Sequence, residues 1–140
     1  MADDGDRARS DGRDRDGVAK RTRAVVLLVE DDRLLRDAML VELESAGLRV
    51  VTAENGEEAL ALARRSPRPS VIVLDLNMPV MDGWQFRAAQ VLDPRLSSIP
   101  VILLSARGDA ERQARTLGIA MALTKPIDLD QLHQALARHC

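Results

Sequence analysis

The sequence predicts an α/β fold built on a parallel sheet, and three observations carry that expectation. Short apolar runs alternate with amphipathic segments, strand then helix, five times over. Runs such as Ala24-Val25-Val26-Leu27-Leu28-Val29 and Val71-Ile72-Val73-Leu74 show no polar alternation, as expected of strands covered on both faces. Chemistry-bearing residues stand where several of these runs end.

Taken in order, residues 1–23 are mostly Asp, Arg and Gly, with too little apolar surface to offset the entropy of ordering, so disorder is expected there. Acidic and basic residues alternate in that segment, and Lys20, Arg21 and Arg23 form only a small basic cluster. A single folded domain is expected over 24–140. Its first strand, Ala24 to Val29, ends in Glu30-Asp31-Asp32. A helix follows over about 33–46, with Leu35, Met39, Leu43 and Ala46 at helical spacing and Gly47 as its stop. Leu48 to Ala53 is a short strand. Asn55-Gly56 opens a second helix whose stripe is Ala59, Leu60 and Ala63. The acids Glu57 and Glu58 near its start and Arg64 and Arg65 near its end suit the helix dipole.

The third strand, 70–75, delivers Asp75 to a loop containing Pro79 and Gly83. A helix over about 83–92 carries Trp84 and Phe86, read as packing residues. Pro100 to Leu104 is the fourth strand, followed by Ser105-Ala106. A weaker helix over 108–117 closes at Gly118. Ile119 to Leu123 reads as the fifth strand, followed by Thr124-Lys125-Pro126. The last helix, about 128–138, uses Leu129, Leu132 and Leu136.

Composition narrows the function classes. The chain has 140 residues and a net charge of −2, so no global field steers it toward nucleic acid or an anionic membrane. Its one cysteine, Cys140, allows neither an internal disulfide nor a cysteine metal cage, and fits a reducing compartment. No secretory signal or membrane-length apolar run is evident. A cytoplasmic protein is expected. With one Trp, one Phe and no Tyr, the core must be aliphatic.

In a parallel sheet, ligands gather outside the carboxyl ends of the strands. That rule collects Glu30, Asp31, Asp75, Ser105 and Lys125 on one edge, although they are far apart in sequence. Clustered carboxylates resist ionising together unless a cation neutralises them. An all-oxygen set suits a hard ion such as Mg²⁺. An aspartate beside such an ion can act as a nucleophile toward phosphoryl groups, with Lys125 and the Ser105 hydroxyl stabilising the transferred group.

Val29-Glu30-Asp31-Asp32, Leu74-Asp75-Leu76-Asn77-Met78-Pro79 with Asp82-Gly83, Ser105-Ala106 and Thr124-Lys125-Pro126 together resemble the receiver domain of bacterial two-component response regulators, from about Ala24 to the C-terminus. The resemblance implies a flavodoxin-like (βα)5 three-layer sandwich with strand order 2-1-3-4-5. It implies phosphorylation of Asp75 by a sensor histidine kinase, with Mg²⁺ held by Glu30, Asp31, Asp75 and the Asn77 backbone carbonyl. Ser105 falls on the switch hydroxyl, Lys125 on the phosphate-pairing lysine, Pro126 on a position that is usually a cis proline, and Asp32 just outside the metal set. Pro79, Gly83 and Ala106 are structural neighbours of the site.

One position departs from the pattern. Ala122 stands where the family usually has a Tyr or Phe that turns inward on activation. The last helix runs almost to the end of the chain, so a stand-alone receiver without a DNA-binding or enzymatic output domain is expected. Its partners would be the kinase and either an effector protein or a histidine phosphotransfer protein. The alternative role is a phosphorelay intermediate or phosphate sink. An aspartate-nucleophile phosphatase is disfavoured, because Asn77 occupies the place where such enzymes commonly carry a general acid. A flavin-binding protein is also disfavoured, since no Ser/Thr/Gly-rich phosphate loop follows the first strand.

Overall fold

A computed structural model describes residues 24–65, 67–106 and 108–139. The charged segment 1–23, for which disorder is expected, lies outside the described residues. The elements alternate strictly: β1 (Val25–Val29), α1 (Arg33–Ser45), β2 (Arg49–Ala53), α2 (Gly56–Ala63), β3 (Val71–Asp75), α3 (Gly83–Leu92), β4 (Val101–Ser105), α4 (Ala110–Leu117), β5 (Met121–Thr124) and α5 (Leu129–Ala137). The five strands form one parallel sheet in the order β2-β1-β3-β4-β5.

Period-two geometry in the strands explains the three layers. Leu27, Val29, Ile72, Leu74, Val101 and Leu103 face one side, where Ala59 and Leu60 of α2, Phe86 of α3 and Ala114 of α4 cover them. Val26, Leu28, Val71, Val73, Ile102 and Leu104 face the other, under Met39 and Leu43 of α1 and Leu132 and Leu136 of α5. Both faces of β1, β3 and β4 are therefore buried, which is why these strands read as unbroken apolar runs. The two aromatics differ: Phe86 is fully buried, whereas Trp84 keeps 37 % of its surface exposed.

β1 lies inside the sheet, and from it the path goes outward to β2 and returns past β1 to β3. The crossover directions reverse there, so the loops leaving β1 and β3 diverge and open a crevice at the carboxyl edge. Helix N-termini line the same edge, and those of α1, α2, α3 and α5 carry side-chain caps. Asp32 accepts from Leu34 N and Leu35 N at 3.0 and 3.3 Å, and Asp82 with Gln85 forms a reciprocal capping box.

The sharpest boundary difference is at β5, which begins at Met121 rather than Ile119. Gly118 adopts a left-handed conformation, and Ile119 N donates to Ala114 O at 2.8 Å. The apolar Ile119 thus belongs to the closing turn of α4, where a hydrophobic residue commonly follows the glycine. Likewise α4 starts at Ala110, not 108, and β4 extends to include Ser105.

Candidate functional site

The crevice assembles around β1 and β3. Glu30 leaves β1 completely buried, and its backbone N–H donates to Ala53 O at 3.0 Å. Its Oε2 accepts from Asp32 N at 3.1 Å. Arg36 of α1 reaches back to the Glu30 carbonyl at 2.9 Å and fixes the turn from outside. Asp31 is exposed beside it. Asp75 ends β3 at 3 % exposure. Acidic oxygens of Glu30, Asp31 and Asp75 lie within 4.8 Å of one another.

Lys125, just beyond β5, enters this cluster. Its Nζ lies 3.0 Å from Glu30 Oε1 and 3.2 Å from Asp75 Oδ1. The contact with Asp75 is an aligned hydrogen bond. The contact with Glu30 is an ion pair only, and buried Oε1 has no hydrogen-bond partner. Burial pushes the Asp75 carboxyl above its usual range, against the pull of the Lys125 ammonium. Burial likewise raises Glu30, with Lys125 opposing and the Asp75 charge adding to the rise. For Lys125, burial favours the neutral amine, but Glu30 and Asp75 outweigh it and raise its pKa.

One ammonium thus faces a crowd of carboxylates, and the buried Glu30 Oε1 meets it as an ion pair without an aligned hydrogen bond. That donor set suits a hard divalent cation: all its oxygens are anionic, they converge, and Glu30 Oε1 has no competing hydrogen bond.

Backbone geometry around Asp75 is tight. Gly83 N donates to Leu76 O at 2.9 Å, folding the start of α3 back against the end of β3. A Cβ on Gly83 would lie 2.5 Å from the Asp75 carbonyl oxygen, so no other residue fits without displacing that strand end. Across the loop, Gly56 N donates to Met81 O at 2.7 Å, and a Cβ on Gly56 would meet Met81 Cγ at 2.7 Å. Between them Val80 sits at φ 69°, a left-handed conformation unfavourable for a β-branched residue, with 74 % of its surface exposed.

Ser105, 3 % exposed at the end of β4, lies on the strand next to that of Asp75. Its hydroxyl donates to Gln113 Oε1 on α4. Its carbonyl accepts from Lys125 N at 2.8 Å, which ties the Lys125 turn to β4. The Lys125–Pro126 peptide is cis. Ala122 is half-buried on β5 and lines a shallow groove of about 420 Å³ beside α4, with Glu111, Ala114, Arg115 and Met121.

The structure brings Glu30, Asp31, Asp75 and Lys125 into one cluster. It places Ser105 at the adjoining strand end and Asn77, Pro79 and Ala106, all exposed, on the loops of the same edge. Asp32 turns away to cap α1. Sequence reasoning did not single out Gln113, Gly56 or Arg36. His133 of α5 pairs with Glu42 of α1 at 3.1 Å, linking the two helices.

A doubly wound parallel sheet with an acidic pocket and a lysine at its switch point defines a flavodoxin-like domain of the receiver type. Comparison with known proteins is more specific: residues 26–137 match the family described as response regulator receiver domain, and the chain belongs to it. It is 40 % identical over 116 residues to the transcriptional regulatory protein GlrR of Escherichia coli K12, covering 81 % of this chain and 25 % of GlrR. It therefore spans about a quarter of that relative's length. It is 32 % identical over 111 residues to protein PilH of Pseudomonas aeruginosa, covering 78 % of this chain and 91 % of PilH. Among solved structures, the chemotaxis protein CheY4 of Vibrio cholerae superimposes with a TM-score of 0.75 at 33 % identity, covering 84 % of this chain and 98 % of CheY4. Among the described residues, no helix is long and apolar enough to cross a membrane.

Proposed function

We propose that this receiver domain takes a phosphoryl group from a histidine kinase onto Asp75 and signals through a phosphorylation-dependent change in protein interaction. The observation that supports this reading most is a nearly buried Asp75 carboxylate, hydrogen-bonded by Lys125 and surrounded by acidic oxygens within 4.8 Å.

Glu30, Asp31, Asp75 and the Asn77 carbonyl would hold Mg²⁺, with Glu30 acting through water. When bound, the ion supplies positive charge to the phosphoryl oxygens and allows the neighbouring carboxylates to ionise together. An Asp75 carboxylate oxygen attacks the phosphorus of a phosphohistidine. The P–O bond forms, the P–N bond breaks, and the imidazole nitrogen keeps the electron pair. Lys125 moves its attraction from the carboxylates to the incoming phosphoryl oxygens, and Ser105 donates its hydroxyl to one of them. Glu30 anchors Lys125 throughout, because its own carboxylate is fixed by Asp32 N. The partners on this reading are a sensor histidine kinase upstream and an effector protein downstream, in the cytoplasm.

Titration with beryllofluoride and Mg²⁺, followed by amide NMR, tests the reading. Shifts centred on Asp75, Ser105 and Lys125 are expected. A spectrum that does not change would rule it out.

A further inference from the structure

One part-buried polar contact at this edge serves neither phosphoryl capture nor the fold's regular hydrogen bonding. The Ser105 hydroxyl is committed to Gln113 Oε1, eight residues further on and across the loop to α4. A serine hydroxyl has a single proton to donate. It can go to the Gln113 carbonyl or to a phosphoryl oxygen on the neighbouring strand end, but not to both at once.

The build of α4 makes that choice consequential. Only Ala110 and Ala114 are buried in this helix, so little apolar area holds it to the sheet. Its N-cap residue, Asp109, makes no side-chain capping bond. Its far end is pinned. Arg87 of α3 donates to the Leu117 and Gly118 carbonyls at 3.0 and 3.1 Å, and Gln90, which is fully buried, accepts from Arg87 at 2.8 Å. A helix fixed at its C-terminus and loosely held at its N-terminus can pivot, and Gln113 lies in the loosely held half. With Ala122 in place of an aromatic ring, the open groove beside α4 is lined by no aromatic side chain that could carry a signal.

We propose that Gln113 is a positioning residue that couples Asp75 to α4. It holds the Ser105 hydroxyl on α4 in the unphosphorylated protein, and phosphoryl capture takes that proton away and releases the N-terminal half of the helix. This rests on the reading of Asp75 as phosphoacceptor. The output is then read from α4 directly, through a hydrogen bond rather than through an aromatic ring.

Beryllofluoride with Mg²⁺ is titrated into the wild-type chain, Gln113→Met, Gln113→Glu and Ser105→Ala, with amide NMR giving dissociation constants and hydrogen exchange reporting on α4. Methionine matches the length of glutamine but has no carbonyl acceptor. Removing the competing bond should tighten binding about two- to tenfold, the equivalent of one net hydrogen bond. Exchange of the hydrogen-bonded α4 amides from Gln113 onward should be faster in ligand-free Gln113→Met and, in the wild type, faster on binding. Gln113→Glu keeps an acceptor and should show no gain in affinity. In a Ser105→Ala background, Gln113→Met should change nothing, which a purely structural role of Gln113 would not produce.

Wild-type affinity in Gln113→Met, an equal gain in Gln113→Glu, or the same gain without the Ser105 hydroxyl would each overturn the proposal. Failure of the wild type to bind beryllofluoride would instead remove the Asp75 reading, and this proposal with it.

Discussion

Lys125→Met isolates the electrostatic core of the site. The ammonium lies 3.0 and 3.2 Å from two carboxylates that are almost fully buried. At an effective dielectric of about 20, each contact is worth roughly 5 kcal/mol before desolvation. Taking the ammonium out of water costs several kcal/mol, and with 29 % of the Lys125 side chain exposed, solvent screens part of the rest. A net destabilisation of about 2–3 kcal/mol at neutral pH is expected, or a fall of about 10 °C in melting temperature.

The pH dependence separates charge from packing. Burial raises the Asp75 and Glu30 pKa values, so the folded protein binds more protons than the unfolded chain. Their contribution is fully present below the ordinary carboxylate pKa of about 4 and is lost as pH rises through the folded values. Lys125 limits that loss. Wild type and variant should therefore diverge as pH rises above about 4 and differ most near neutrality, with added Mg²⁺ narrowing the gap. Thermal melts across this range, with and without Mg²⁺, measure it. A gap that is the same at acidic and neutral pH would refute the electrostatic account.

Two further substitutions probe the loop that carries Asp75. Gly83→Ala places a Cβ 2.5 Å from the Asp75 carbonyl oxygen and 2.7 Å from Leu76 Cα, neither of which can move independently of the strand. A loss of about 1–3 kcal/mol in urea denaturation and slower phosphorylation are expected, and unchanged values of both would contradict the packing argument. Val80→Asn relieves a β-branched residue held at φ 69° and exposed to solvent. Stability should rise by about 0.5–1 kcal/mol, and a lower urea midpoint would show that the valine is held there by a compensating contact.

The parts of the fold most legible in the sequence are those whose burial is symmetric. β1, β3 and β4 are covered on both faces, so their sequences carry no competing helical or alternating pattern. β5 is an edge strand with partly exposed residues, and its start was misread because Ile119 serves the helix-closing turn before it. Glu30, Asp31, Asp75 and Lys125 were legible because strand ends in a parallel sheet converge. The direction in which a side chain turns after that convergence is not encoded in spacing. Gln113 reads in sequence as a polar helix residue, and only the path of the loop brings its amide to Ser105. Gly56 is similarly opaque: its neighbours suggest a helix start, while its contact with Met81 is tertiary.

The central claim is that Asp75 accepts the phosphoryl group in a Mg²⁺-dependent reaction, and intact-mass analysis after incubation with acetyl phosphate tests it most directly. The account predicts one added phosphoryl group on the wild-type chain, mapped to the peptide containing Asp75. It predicts none on Asp75→Asn and none when Mg²⁺ is chelated. Retained labelling of Asp75→Asn, or labelling mapped to another residue, would contradict it.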